Sequence, residues 1–167
     1  MIIEKSHMET LSTLVGKIGN LLKARGWKLC IAESCTGGLL GGFITSISGA
    51  SDYFDRGFIT YSNEAKIELL GVSAQAIETF GAVSDVVARE MAEGALKHSR
   101  ANVSISITGI AGPTGGTPHK PVGTVYIACA IPEGVKVKHF KFDGNREEIR
   151  RQSVEAALVL LWEEIQT

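Results

Sequence analysis

The stretch Ala32-Glu33-Ser34-Cys35-Thr36-Gly37-Gly38-Leu39-Leu40-Gly41-Gly42 limits what this chain can fold into more than any other. An apolar run from Leu29 leads into it, and Leu39, Leu40, Phe43, Ile44 and Ile47 lead out at helical spacing. That pattern is a strand, a tight turn and a helix start. At such a junction the first backbone N–H groups lack intrahelical partners, so a negative group or a developing oxyanion is the natural guest. Gly37 and Gly38 let a ligand approach the main chain closely. The bland alternative is that Ser34 or Thr36 simply caps the helix and the glycines serve only the turn. The stretch has neither the Gly-x-Ser-x-Gly elbow of hydrolases nor the lysine of a P-loop, so any chemistry needs partners elsewhere in the chain.

Periodicity and punctuation supply the other elements. Leu11, Leu14, Val15, Ile18, Leu21 and Leu22 define an amphipathic helix stopped at Gly26, while residues 1–8 lack periodicity and read as a frayed tail. Trp27 to Ala32 is a strand, Leu39 to Ser48 a helix ended by Gly49, and Phe54 to Tyr61 a second strand. Ser62, Ser73 and Ser84 each cap a helix, over Asn63 to Leu70, up to about Phe80, and from Asp85 to about His98. Three strands follow, at Val103 to Ile107, Val122 to Ile131 and Val135 to Phe142. In the last of them the apolar phase slips between Val137 and Phe140, which predicts a bulge or an edge position. Lys136, Lys138 and Lys141 would guard such an edge. Asn145 with Glu148 is a capping signature for a final helix from Arg146 to about Ile165. A crossover near the start and hairpin-like strands near the end predict a mixed sheet with helices on both faces.

At 167 residues the chain reads as one domain, 1–167, large enough to bury a core. A net charge of −1, from 17 basic and 18 acidic residues, gives no general attraction to nucleic acid or to an anionic membrane. No apolar stretch has the length of a membrane span. Three cysteines, Cys30, Cys35 and Cys129, are odd in number and have no metal-type spacing, which points to a reduced, cytoplasmic setting. His7, His98, His119 and His139 show no zinc-type spacing either, so neither a metal nor a cofactor is expected.

Chemistry-bearing groups gather in three loops: Glu33 to Gly38, Tyr61 to Lys66, and Thr108 to Gly116. If their strands end on one rim, they line one pocket. Lys66 lies one turn inside its helix and can lean back over the loop. It is either a solvated lysine pairing with Glu64 or Glu68, or a desolvated amine that activates a hydroxyl. The glycine-rich loop could wrap a phosphate with backbone N–H groups, or be a long mobile connection. Cys35, beside Ser34, is a competing nucleophile, expected to face away and pack.

Four motifs occur in order: Ala32 to Gly38, Arg56-Gly57-Phe58-Ile59-Thr60-Tyr61-Ser62-Asn63-Glu64-Ala65-Lys66, Gly81-Ala82-Val83-Ser84, and Gly109-Ile110-Ala111-Gly112-Pro113-Thr114-Gly115-Gly116, with Lys120 to Val125 following. From about Leu11 to Trp162 this resembles the CinA C-terminal-domain family, whose stand-alone members are nicotinamide-nucleotide amidases. The resemblance implies a three-layer α/β/α sandwich around a mixed parallel/antiparallel sheet of about five strands. It implies hydrolysis of nicotinamide mononucleotide to nicotinate mononucleotide and ammonia at a Ser-Lys site, here Ser34 and Lys66 with Tyr61 nearby. Two-domain relatives carry a further nucleotide-processing domain, whose activity is not expected here.

In that scheme Ser34 attacks the carboxamide, and Lys66 moves the proton directly or through Tyr61. Backbone N–H groups around Thr36 to Gly38 would hold the oxyanion. Thr108 and the glycine loop would position ribose and phosphate, with Arg146 a phosphate partner. The residues expected to contact substrate are Glu33, Thr36, Gly37, Gly38, Asn63, Thr108, Gly109, Gly112 and Arg146. The expected partner is a small pyridine mononucleotide, not nucleic acid or membrane, and a homo-oligomer is expected. Two other readings stay open: a non-catalytic nucleotide-binding or regulatory module, and a cysteine amidase using Cys35.

Overall fold

The computed structural model describes residues 2–167, with side chains from residue 10 onward. The frayed tail expected at 1–8 therefore falls on residues whose side chains lie outside the described set. The elements run α1 (Ile2–Arg25), β1 (Leu29–Glu33), α2 (Leu39–Thr45), a 3-10 turn (Ala50–Asp52), β2 (Phe54–Ile59), α3 (Asn63–Leu70), α4 (Ala74–Phe80), α5 (Asp85–Lys97), β3 (Val103–Gly109), β4 (Thr124–Ile131), β5 (Gly134–Lys141) and α6 (Arg146–Ile165). One sheet has the order β2-β1-β3-β4-β5. β1 pairs in parallel with β2 and β3, and the hairpin strands β4 and β5 continue the sheet antiparallel.

Strand alternation decides which helices cover which face. Leu29 and Ile31 of β1, with Val103, Ile105 and Ile107 of β3, point into a core shared with α1, α2 and α6. Cys30 and Ala32 point the other way, onto Leu70 at the end of α3 and onto Val87, Met91 and Ala95 of α5. The result is a three-layer α/β/α sandwich around a mixed five-stranded sheet.

β3 carries hydroxyls at every second position, and these face α5. Ser104 Oγ donates to the Ala92 carbonyl at 2.7 Å and Ser106 Oγ to the Ala88 carbonyl at 2.6 Å. Both serines are fully buried, so these bonds satisfy groups that would otherwise be costly to desolvate. With Ala88 and Ala92 at the contact, the helix sits close on the sheet.

The serine caps form as the sequence predicts: Ser62, Ser73 and Ser84 accept from the N–H groups of Ala65, Ala76 and Val87. Asn145 and Glu148 make a reciprocal capping box at α6. One local expectation is corrected. α2 stops at Thr45 rather than Ser48, because the Thr45 and Ser46 hydroxyls donate to carbonyls of their own last turn, at Gly41 and Phe43. Of the two outcomes expected for β5, it takes the edge position, and it pairs with β4 without a bulge, from Thr124↔Lys141 to Ile131↔Gly134. Its apolar phase slips because Val135 and Val137 pack on the α5 side, whereas Phe140 and Phe142 pack on the α6 side.

Candidate active site

The chain leaves β1 towards α2 on one face and leaves β2 towards α3 on the other. Neighbouring parallel strands whose connections part in this way open a crevice beyond their carboxyl ends. A cleft of about 210 Å³ lies there. Ser34, Tyr61, Asn63, Lys66, Thr108, Gly109 and Arg146 line it, so the three chemistry-bearing loops do converge.

Lys66 is 1 % exposed although lysine is rarely buried. The Ser62 cap starts α3 three residues before it, and its side chain turns back past that start. Its Nζ lies 2.9 Å from Ser34 Oγ, 2.9 Å from the Thr60 carbonyl oxygen and 3.2 Å from the Tyr61 carbonyl oxygen. Among the described residues no carboxylate pairs with it, and burial holds the amine below the usual lysine range. Neither Glu64 nor Glu68 reaches it. Ser34 is itself buried, with its N–H tied to the Ile107 carbonyl at 3.0 Å. The serine is thereby fixed between β1 and β3 while its hydroxyl meets the amine.

Tyr61 presents both its main chain and its phenol to the cleft. Its carbonyl is within 3.5 Å of Ser34 Oγ, and its hydroxyl accepts from Arg146 at 3.1 Å at the cleft wall. Arg146 also donates to the Gly112 carbonyl at 2.8 Å, stapling the glycine-rich loop to α6. Thr108 Oγ1 donates to the Ala82 carbonyl at 2.9 Å and so draws the Gly81–Ser84 loop over the end of β3. Asn63, the first residue of α3, is exposed at the mouth.

Glu33 takes a different place. It is 1 % exposed, and its two carboxylate oxygens accept from the N–H groups of Leu40 at 2.9 Å and Gly41 at 3.0 Å. The anion expected at the start of α2 is therefore the chain's own carboxylate, which both satisfies and neutralises that helix end. Thr36, Gly37, Gly38 and Gly112 shape the surrounding loops without lining the cleft. Gly37 and Gly38 have φ of 57° and 104°, values at which a side chain would be strained, so the tight turn requires both.

These contacts lie in a chain whose residues 11–165 match the family described as the CinA C-terminal domain. The chain belongs to the CinA C-terminal domain family. This CinA domain is 48 % identical over 155 residues to the nicotinamide-nucleotide amidohydrolase PncC of Escherichia coli K12, covering 92 % of this chain and 94 % of that one. It is 52 % identical over 144 residues to the protein of the same name from Enterobacter agglomerans, covering 86 % and 88 % respectively. Against the CinA-like protein of Syntrophobacter fumaroxidans, identity is 56 % over 145 residues, but the chain spans only 34 % of that relative's length. The crystal structure of the competence/damage inducible protein CihA from Agrobacterium tumefaciens superposes with a TM-score of 0.90 at 44 % identity, covering 93 % of this chain and 95 % of that one.

One feature of this CinA domain escapes a reading of its sequence. Arg150, on the second turn of α6, donates to the carbonyls of Cys35 at 3.1 Å and Thr36 at 2.9 Å. A solvent-facing arginine gives the same helical spacing, so nothing in the sequence singles it out. Cys35 lines the cleft but is 6 % exposed, and desolvation pushes its thiol up to about 11. Burial of this kind disfavours the thiolate form that a cysteine nucleophile needs.

Proposed function

We propose that this chain hydrolyses the carboxamide of nicotinamide mononucleotide, giving nicotinate mononucleotide and ammonia. The observation that carries the proposal is the 2.9 Å approach of a buried, carboxylate-free Lys66 amine to the Ser34 hydroxyl. A neutral amine has two N–H donors and one lone pair. The Thr60 and Tyr61 carbonyls are suited to accept the two donors, which leaves the lone pair for the Ser34 proton. The amidohydrolase names of relatives that match this chain nearly end to end support the same reaction.

Ser34 Oγ attacks the carboxamide carbon as its proton passes to Lys66 Nζ. Charge collects on the amide oxygen. Lys66 returns the proton to the departing nitrogen, the C–N bond breaks, and ammonia leaves an acyl-serine. Water then attacks the ester carbon and gives a proton to Lys66. The C–O bond to Ser34 breaks, the serine recovers its proton, and the carboxylate product departs. Tyr61 and Arg146 hold the wall of the cleft, with Asn63 and Thr108 at its mouth and floor. Arg146 Nε is free for the phosphate, among the contacts described. A cytoplasmic setting and assembly as a homo-oligomer belong to the same proposal.

Incubation of the purified protein with nicotinamide mononucleotide, assayed for ammonia, tests the reaction. Nicotinamide riboside run alongside reports what the phosphate contributes. Tight binding of the mononucleotide without ammonia release would instead favour a non-catalytic module.

A further inference from the structure

The loop between α4 and α5 is held at the cleft by its own carbonyls. Lys120 Nζ donates to the Phe80 carbonyl, Ser84 Oγ to the Gly81 carbonyl at 2.8 Å, and Thr108 Oγ1 to the Ala82 carbonyl at 2.9 Å. Three successive carbonyls are each taken by a different side chain, two of which come from 40 and 26 residues away. Ser84 Oγ also accepts from the Val87 N–H, which ties the loop to the first turn of α5. On this fixed backbone stand Ala82 and Val83, both of which line the cleft. Val83 is half-buried, yet it belongs to none of the apolar clusters that make up the core. An aliphatic side chain left out of the core gains from burial only when something apolar is laid against it. Of the other aliphatic residues on the cleft wall, Ala82 and Ala111 carry only a methyl group. Val83 therefore brings the largest aliphatic side chain to a cleft of about 210 Å³ whose reacting end, Ser34 and Lys66, is polar.

We propose that Val83 is a specificity-determining residue, whose isopropyl group sets the room left for the ring that carries the carboxamide. In a pyridine mononucleotide that ring is the flat, apolar part, while ribose and phosphate are polar, so the ring is the part that matches this wall. The site then takes a single unsubstituted six-membered aromatic ring and turns away alkylated or fused ones. Because the three carbonyl bonds hold the loop in place, extra bulk meets a wall that does not swing back. The inference rests on the amidase reading for the class of ligand and for which end of it enters first.

Turnover and calorimetric affinity on nicotinamide mononucleotide and on its 5-methylpyridine analogue test the proposal, with wild type, Val83→Ala, Val83→Thr and Val83→Ile. A misfit of one methylene in an apolar pocket is worth about 10- to 200-fold, so wild type is expected to favour the unmethylated compound at least about tenfold. Val83→Ala is expected to narrow that preference about tenfold by opening room for the methyl group, and Val83→Ile to widen it. Val83→Thr keeps the shape but adds a hydroxyl, so it should weaken both compounds and leave their ratio near the wild-type value. A Val83→Ala variant that loses activity on both compounds alike, with the ratio unmoved, would make the residue merely structural and overturn the proposal. So would a wild type that accepts both compounds equally. Should Val83→Ala fail to fold, Val83→Ile carries the test, and an unmoved ratio there counts against the proposal in the same way. Binding that shows the expected ratios without ammonia release would sink the amidase reading and leave this inference standing. Ammonia release with unmoved ratios would do the reverse.

Discussion

Lys66 Nζ lies 2.9 Å from Ser34 Oγ across 32 residues of sequence, with Lys66 1 % exposed and no carboxylate beside it among the described residues. Most buried lysines need a counter-ion, because an unpaired buried charge is expensive. Here burial favours the neutral amine, the form able to take a proton from a hydroxyl.

Burial lowers the Lys66 pKa in the folded protein, whereas in the unfolded chain it titrates near the ordinary lysine value. Between those two values the unfolded state binds more protons, so folding stability gained from this site rises with pH across that window and is flat below it. Comparing wild type with Lys66→Met by denaturant titration at several pH values is expected to show the difference moving in favour of wild type as pH rises through the window. Activity should follow the same titration, with kcat/KM falling on the acid side as the amine protonates. Lys66→Met is expected to lose roughly 10²-fold or more in kcat where the wild-type amine is neutral, with the deficit narrowing on the acid side, as for a general base.

Glu33→Gln separates a structural from a substrate-binding carboxylate. One buried oxygen acceptor and the negative charge at the start of α2 are lost, so unfolding free energy should drop by about 1–3 kcal/mol. Thermal unfolding checks the loss. KM for nicotinamide mononucleotide should stay near the wild-type value, because both carboxylate oxygens already serve Leu40 and Gly41.

Much of this arrangement was legible because its signals are local. Ser62 ahead of a helical run fixes where α3 begins and hence how far back Lys66 reaches, and Asn145 with Glu148 fixes α6. The strand–turn–helix at Ala32 to Gly42 announces a crossover and a strand-end site. What stayed hidden depends on contacts distant in sequence or on choices of face. A glutamate ending a strand carries no sign that it will reach over to its own following helix. Arg150 looks like any helical surface arginine until the loop 115 residues earlier lies beneath it. The Phe140 and Val137 phase change resembles a bulge in sequence, yet different helices covering the two faces of the edge strand produce it.

Cys35→Ala tests the competing nucleophile. The thiol is buried with its pKa pushed up to about 11. The variant should keep kcat/KM within about threefold of wild type, since a group outside the reaction path makes no interaction special to the transition state. A loss on the scale of Ser34→Ala would reinstate the thiol.

Gly109 sets the distance between the end of β3 and the loop that carries Ser34. A Cβ there would stand 2.7 Å from Val125 Cγ2, 3.0 Å from the Thr124 carbonyl oxygen and 3.2 Å from Cys35 Sγ. Gly109→Ala should therefore cost about 1–3 kcal/mol of stability through overpacking. It should also lower kcat, as the loop bearing Ser34 shifts from the amine. Thermal unfolding and steady-state kinetics on the same preparation read both effects.

Ammonia release from nicotinamide mononucleotide by Ser34→Ala, with binding of the mononucleotide measured calorimetrically on the same sample, bears most directly on the serine–lysine pair. If Ser34 is the nucleophile, as proposed, its loss lowers kcat by roughly 10³-fold or more while affinity stays close to that of the wild type. Ammonia release at the full wild-type rate from Ser34→Ala would contradict it.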